Sequence, residues 1–219
     1  MKFKTVVTSP ATLLFLLLVC APYSSYAKST AHTVLVLGDS ISAAYGVPQN
    51  SGWVELFKQR LQQRGNYRVI NASLSGETTS GGLQRLPQLL QDYQPKLLIV
   101  ELGANDGLRG QPIKLIQANL ENIVQLGKQH GSQVYLLGMH IPPNYGSKYT
   151  SQFHAVFRKI AEQENVALLP FFLQDVATDK TLMQADGLHP NSQAQPRLLE
   201  NMLSKLPASA LGKTAGEPH

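Results

Sequence analysis

Ser40 stands in Gly38-Asp39-Ser40, directly after the apolar run Val34 to Leu37. A serine hydroxyl is a weak nucleophile at neutral pH and needs a base. Six histidines compete for that role. His189 is the best placed, because Asp186 lies three residues before it in Ala185-Asp-Gly-Leu-His-Pro-Asn191. That spacing lets a carboxylate reach back to Nδ1 of the imidazole and leaves Nε2 to take the serine proton. His140, just past a strand, is the main competitor. His32 and His219 lie towards the ends of the chain, His130 precedes Gly131 where a helix ends, and His154 falls within a helix. Acyl transfer also needs donors for a developing oxyanion, and the Ser40 N–H, the Gly76 N–H and the Asn105 side-chain amide are suitable. Each piece has a plainer reading of its own. Asp39 or Ser40 could cap a helix, Asp-Gly-Leu-His-Pro could be an Asx turn and helix entry, and Gly76 and Asn105 could be ordinary turn residues. Their joint placement after strands is what favours chemistry.

The elements that would position these residues alternate along the chain. Short apolar runs at Val34–Leu37, Tyr67–Asn71, Lys96–Glu101, Gln133–Gly138 and Val166–Leu169 read as strands. Between them, apolar residues at helical spacing mark helices at Trp53–Leu61, around Leu83–Leu90, at Ile113–Leu126 and at Tyr149–Glu164. A last helix is expected over roughly Ala194–Leu206, with Pro196 in its first turn. Leu102–Gly107 and Met139–Gly146 read as loops, and Phe171–Leu182 as irregular. Five strand–helix units with no repeat and no domain break predict one α/β domain, a five-stranded parallel sheet with helices on both faces. A β/α barrel would need eight such units. Reactive groups in such a sheet gather at the carboxyl ends of the strands, where Ser40, Gly76, Asn105 and the Ile141-Pro-Pro loop all fall.

Residues 1–27 read as a secretory signal peptide: Lys2 and Lys4, then the apolar Leu13–Val19, then the small-x-small Ser25-Tyr-Ala27. An uncleaved membrane anchor or a lipoprotein at Cys20 are the weaker readings, since the apolar core is short and Val19 is bulky. Cleavage would remove the single cysteine and lower the formal charge from +5 to +3. No thiol chemistry is then open to the mature chain. A mild basic excess without a Lys/Arg run gives no support for nucleic-acid binding and at most weak contact with an anionic membrane surface. There is no His-Glu-x-x-His and no clustering of histidines, so no metal or cofactor is expected. A Gly-x-Ser-x-Gly elbow is also absent. The residues from 207 to 219 are expected to fray.

Gly38-Asp39-Ser40, Gly76, Gly103-Ala-Asn105-Asp106 and Asp186-Gly-Leu-His189-Pro resemble the four ordered blocks of the SGNH hydrolases, or GDSL esterases/lipases. Val100–Gly110, Pro143–Gly146, Leu169–Phe172 and His189-Pro-Asn191 followed by Ala194-Gln-Pro196 resemble the bacterial periplasmic thioesterase I/protease I/lysophospholipase L1 group and its arylesterase relatives. Ile41 replaces the leucine of the name motif. The resemblance implies a flavodoxin-like three-layer α/β/α fold and a Ser40–His189–Asp186 triad. It implies an oxyanion hole of Ser40, Gly76 and Asn105, a mobile loop from Gly107, and an acyl site lined by Ile141 and Pro142. The expected protein is a periplasmic or secreted monomer that cleaves acyl esters and thioesters, with lysophospholipids or fatty esters as its small-molecule substrates. A carbohydrate O-deacetylase on the same fold and a non-catalytic lipid-binding protein are the alternatives.

Overall fold

The computed structural model describes residues 1–2 and 31–212. The signal-peptide segment, apart from its first two residues, and residues 213–219 lie outside the described residues.

Five strands form one parallel sheet: β1 (His32–Gly38), β2 (Tyr67–Asn71), β3 (Leu97–Glu101), β4 (Gln133–Leu137) and β5 (Ala167–Leu169). Their order across the sheet is β2-β1-β3-β4-β5. From β1 the chain moves outward to β2, then returns past β1 to lay down β3. The direction of winding therefore reverses between β1 and β3, the crevice where open α/β sheets bind ligands. In this register Gly38 of β1 stands opposite Glu101 of β3. β3 is buried along its whole length, and Val34 to Leu37 of β1 are fully buried. That is why both strands read as continuous apolar runs rather than alternating ones.

The helices are α1 (Trp53–Gln62), α2 (Thr79–Tyr93), α3 (Ala104–Leu108), α4 (Ile113–Gln129), α5 (Ser147–Glu164) and α6 (Gln195–Lys205). α1 packs with α6, while α2, α4 and α5 pack in series, so the sheet is covered on both faces. Among the described residues no helix is long and apolar enough to cross a membrane. Pro196 occupies the first turn of α6, where its missing N–H costs nothing.

Two expectations are corrected. Leu102–Gly107 is not simply a loop, because Ala104–Leu108 forms α3 directly after Gly103 turns the chain at φ 111. Asp106 of α3 accepts hydrogen bonds from the Thr79 N–H (2.9 Å) and hydroxyl (2.6 Å) at the start of α2, which fixes the new helix in place. Pro207 to Gly212 do not fray. Ala208–Leu211 make a 3-10 turn that buries Ala210 and Leu211, and the Tyr67 hydroxyl donates to the Leu211 carbonyl at 2.7 Å.

Candidate active site

Ser40 follows β1, and its hydroxyl lies 2.9 Å from His189 Nε2. His189 Nδ1 lies 2.6 Å from Asp186 Oδ2. A proton on Nδ1 facing the carboxylate leaves Nε2 as the acceptor for the serine hydroxyl. The loop holding both residues runs from β5 to α6 and is pinned at its base, where the Gln184 N–H donates to the His189 carbonyl at 2.8 Å. The Asx turn is realised and still leaves one carboxylate oxygen for the imidazole. Asp186 Oδ1 accepts from the Leu188 and His189 N–H groups at 2.9 and 3.0 Å, while Oδ2 is given to the imidazole. These backbone donors, His189 first, hold the Asp186 carboxyl down at about 2. Tyr45 packs its ring against His189 at 4.7 Å.

Gly76 and Asn105 converge on the same end of the sheet. Gly76 adopts φ +78, a conformation that favours glycine, and its carbonyl accepts from Arg109 at 3.1 Å. Among the described residues, neither the Ser40 nor the Gly76 backbone N–H has an acceptor. Asn105 sits in the first turn of α3, and Nδ2 donates to Asp39 Oδ2 (3.1 Å) and to the Glu77 carbonyl (3.0 Å). Buried Asp39 has its carboxyl pushed up to about 6 by burial, against the opposing pull of the Ile41 N–H. Behind it lies Glu101, fully buried and pushed up further by burial and by Asp39.

A cavity of about 530 Å³ opens from Ser40 and His189. Ile141 and Pro142 line it, as do Leu108, Met139, Phe171 and Leu188. His140, the competing histidine, also lines it but is held by other rings. It stacks on Phe171 at 4.0 Å and meets His154 edge-on at 3.8 Å. Burial and the neighbouring His154 lower it to about 4. Phe171 faces the cavity, whereas the adjoining Phe172 belongs to the core against Trp53. Gly107, expected to open a loop, is buried inside α3. A larger groove of about 700 Å³ between α4 and α5 is lined by none of these residues. Among the described residues no three His, Cys, Asp or Glu side chains gather as a metal site.

Sequence reasoning missed Glu101, Leu108, Met139 and Leu188. Glu101 alone carried a signal, as a carboxyl ending an otherwise apolar strand run.

Comparison with known proteins gives the family. The model of the GDSL-like Lipase/Acylhydrolase family matches residues 36–195, which span the chain from β1 to the start of α6. The chain belongs to this family. Within it, the chain is 51% identical to the Esterase TesA of Pseudomonas aeruginosa, over 80% of this chain and 88% of that protein. It is 38% identical to the Thioesterase 1/protease 1/lysophospholipase L1 of Escherichia coli, over 94% and 96% of the two chains. The crystal structure of the psychrotrophic esterase EstA from Pseudoalteromonas sp., inhibited by monoethylphosphonate, superposes with a TM-score of 0.77 at 44% identity, covering 80% of this chain and 96% of that one. The family match takes in Ser40, Gly76, Asn105, Asp186 and His189 together.

Proposed function

We propose that this protein is a serine ester hydrolase acting on acyl esters and thioesters. Ser40 Oγ attacks the acyl carbon while His189 Nε2 takes its proton. Asp186 stabilises the resulting imidazolium and fixes the ring. The Ser40 and Gly76 N–H groups and the Asn105 amide receive the oxyanion. His189 then returns the proton to the leaving oxygen or sulfur, and the carbon–leaving-group bond breaks to give the acyl-serine. A water that loses a proton to His189 attacks that ester, and Ser40 leaves with the proton back on Oγ.

The observation that carries this reading is the run from Asp186 through His189 to Ser40, at 2.6 and 2.9 Å, beside a largely apolar cavity. The esterase and thioesterase/lysophospholipase names of the relatives support it. The cavity volume falls in the range of sites for sizeable organic ligands and exceeds the needs of an acetyl group, so Ile141 and Pro142 are assigned to the acyl chain. With residues 1–27 as a cleaved signal peptide, the protein works as a monomer in the periplasm or outside the cell. Lysophospholipids and fatty esters are then its substrates in preference to cytosolic acyl-CoA.

Hydrolysis of p-nitrophenyl esters from acetyl to palmitoyl, with Ser40→Ala as the blank, tests this. Medium- or long-chain turnover is expected in the wild type, with a loss of about 10⁴-fold or more in the variant. Activity confined to acetyl esters would point to a deacetylase. Ligand binding without turnover would point to a lipid-binding protein, and activity surviving in Ser40→Ala would sink the mechanism.

A further inference from the structure

Two carboxyl groups beside Ser40 have no task in the steps above. Asp39 is 1% exposed and Glu101 is 0% exposed. A Cβ on Gly38 would stand 2.9 Å from Glu101 Oε2 and 2.7 Å from the Ser42 side chain. Glycine at 38 is thus what lets Glu101 reach the end of β1. Glu101 Oε2 accepts from the Asp39 N–H (3.2 Å) and the Ser42 hydroxyl (2.7 Å). Glu101 Oε1 is buried and has no donor. The Asp39 N–H on Glu101 Oε2 holds the two buried carboxyls side by side, and two buried neighbouring charges are avoided when one of the pair keeps a proton. Asp39 is served by donors on both oxygens, from the Ile41 N–H (3.0 Å) and from Asn105 Nδ2 (3.1 Å). Glu101 has the unserved oxygen, so the proton belongs to Glu101.

We propose that Asp39 and Glu101 form a one-proton positioning pair: neutral Glu101 donates to the Asp39 carboxylate, which holds the Asn105 amide where the oxyanion forms. The proposal rests on the reading of Asn105 as an oxyanion donor. Both amide hydrogens of Asn105 are occupied at rest, one by Asp39 and one by the neutral Glu77 carbonyl. A charged oxyanion is the stronger acceptor and takes the hydrogen from Glu77, while Asp39 keeps the other. Asp39 thereby sets the angle of the amide throughout the reaction. Burial raises both groups, Glu101 more than Asp39, in keeping with this placement of the proton.

The proton is tested without turnover, by thermal unfolding of wild type and Glu101→Gln from pH 5 to 8. Unfolded Glu101 ionises near 4.5, whereas folded Glu101 keeps its proton to higher pH. Folding therefore takes up a proton, and wild-type stability falls as pH rises through that window. Glutamine has the shape of the protonated acid and nothing to titrate, so the Tm of the wild type should fall relative to Glu101→Gln by roughly 4 °C per pH unit. A pH-independent gap overturns the proposal. Positioning is tested by kcat. Asp39→Asn and Glu101→Leu should lose about a hundredfold with KM within about twofold, and Glu101→Gln should keep at least ten times more kcat than Glu101→Leu. Equal losses in the two Glu101 variants overturn the positioning role. Where Glu101→Leu does not fold, Asp39→Asn serves, and a KM loss as large as its kcat loss overturns it. Labelling of wild-type Ser40 by a fluorophosphonate separates the two readings. Its failure counts against the serine hydrolase, while the unfolding series still decides the proton.

Discussion

Asp186 sits on an exposed turn before α6, whereas Asp39 and Glu101 are sealed between the ends of β1 and β3. All three carboxyls belong to the surroundings of one serine. Their environments drive them apart. Water and the Leu188 and His189 N–H groups solvate Asp186 and keep it ionised. Burial makes two charges untenable in the other region, so a proton is retained there. An ionised carboxylate suits a partner that, in the proposed mechanism, becomes imidazolium. A partly protonated pair cannot serve that purpose but can act as a stiff hydrogen-bonded brace. The difference is set by the local donors and by access to water, not by residue type.

The largest expected effects lie on the exposed side. His189→Ala should lower kcat by about 10⁴-fold or more, because the serine loses its base. Asp186→Asn should cost less, roughly 10²- to 10³-fold, since the 40% exposed side chain leaves room for water to take over at Nδ1. Steady-state kinetics of the two variants beside Asp39→Asn ranks the regions. An Asp39→Asn loss exceeding that of Asp186→Asn would reverse the assignment of roles.

Stability against pH gives a smaller effect with opposite signs in the two regions. The Asp186 carboxyl is held at about 2, below its ordinary 3.8. Its contribution is present above about 3.8 and is lost as pH falls through about 2. With this much exposure it amounts to less than about 1 kcal/mol. Asp39 is raised from 3.8 to about 6, so it costs stability as pH rises across that interval. In urea melts, Asp186→Asn should therefore be weaker than wild type at pH 5 and close on it towards pH 2. The wild type should lose ground to Asp39→Asn between about pH 4 and 6. A parallel pH course for both variants would erase the contrast.

How far this arrangement could be read from sequence depends on whether a residue's task is local. The strands were legible because β1 and β3 are buried on both faces and so read as unbroken apolar runs. Asp186 and His189 were legible because their contact spans three residues. α3 was not, since its start depends on the φ of Gly103 and on Asp106 bonding across to Thr79. The packing of Ala210 and Leu211 was hidden for the same reason, because the partner Tyr67 is 144 residues away from Leu211. The carboxyl pair was the least legible. It needs the β1–β3 register and the missing Cβ of Gly38, and neither follows from periodicity.

The smallest expected effects carry the same contrast into the cavity walls. Ile141 is 7% exposed, while Leu188, beside His189 on the exposed loop, is 42% exposed. Both line the cavity. A bound acyl chain gains more from a wall that is already dry and fixed, because no ordering of the loop is needed to make the contact. Ile141→Ala should therefore raise KM for octanoyl or longer esters by about three- to tenfold, in line with roughly 1 kcal/mol for the lost apolar contact. Leu188→Ala should raise it about twofold, and neither should affect acetyl esters. The KM series over chain length measures this directly. A larger effect at Leu188 than at Ile141 would mean that the loop closes over the chain on binding, and that the exposed region is ordered by substrate rather than standing open beside it.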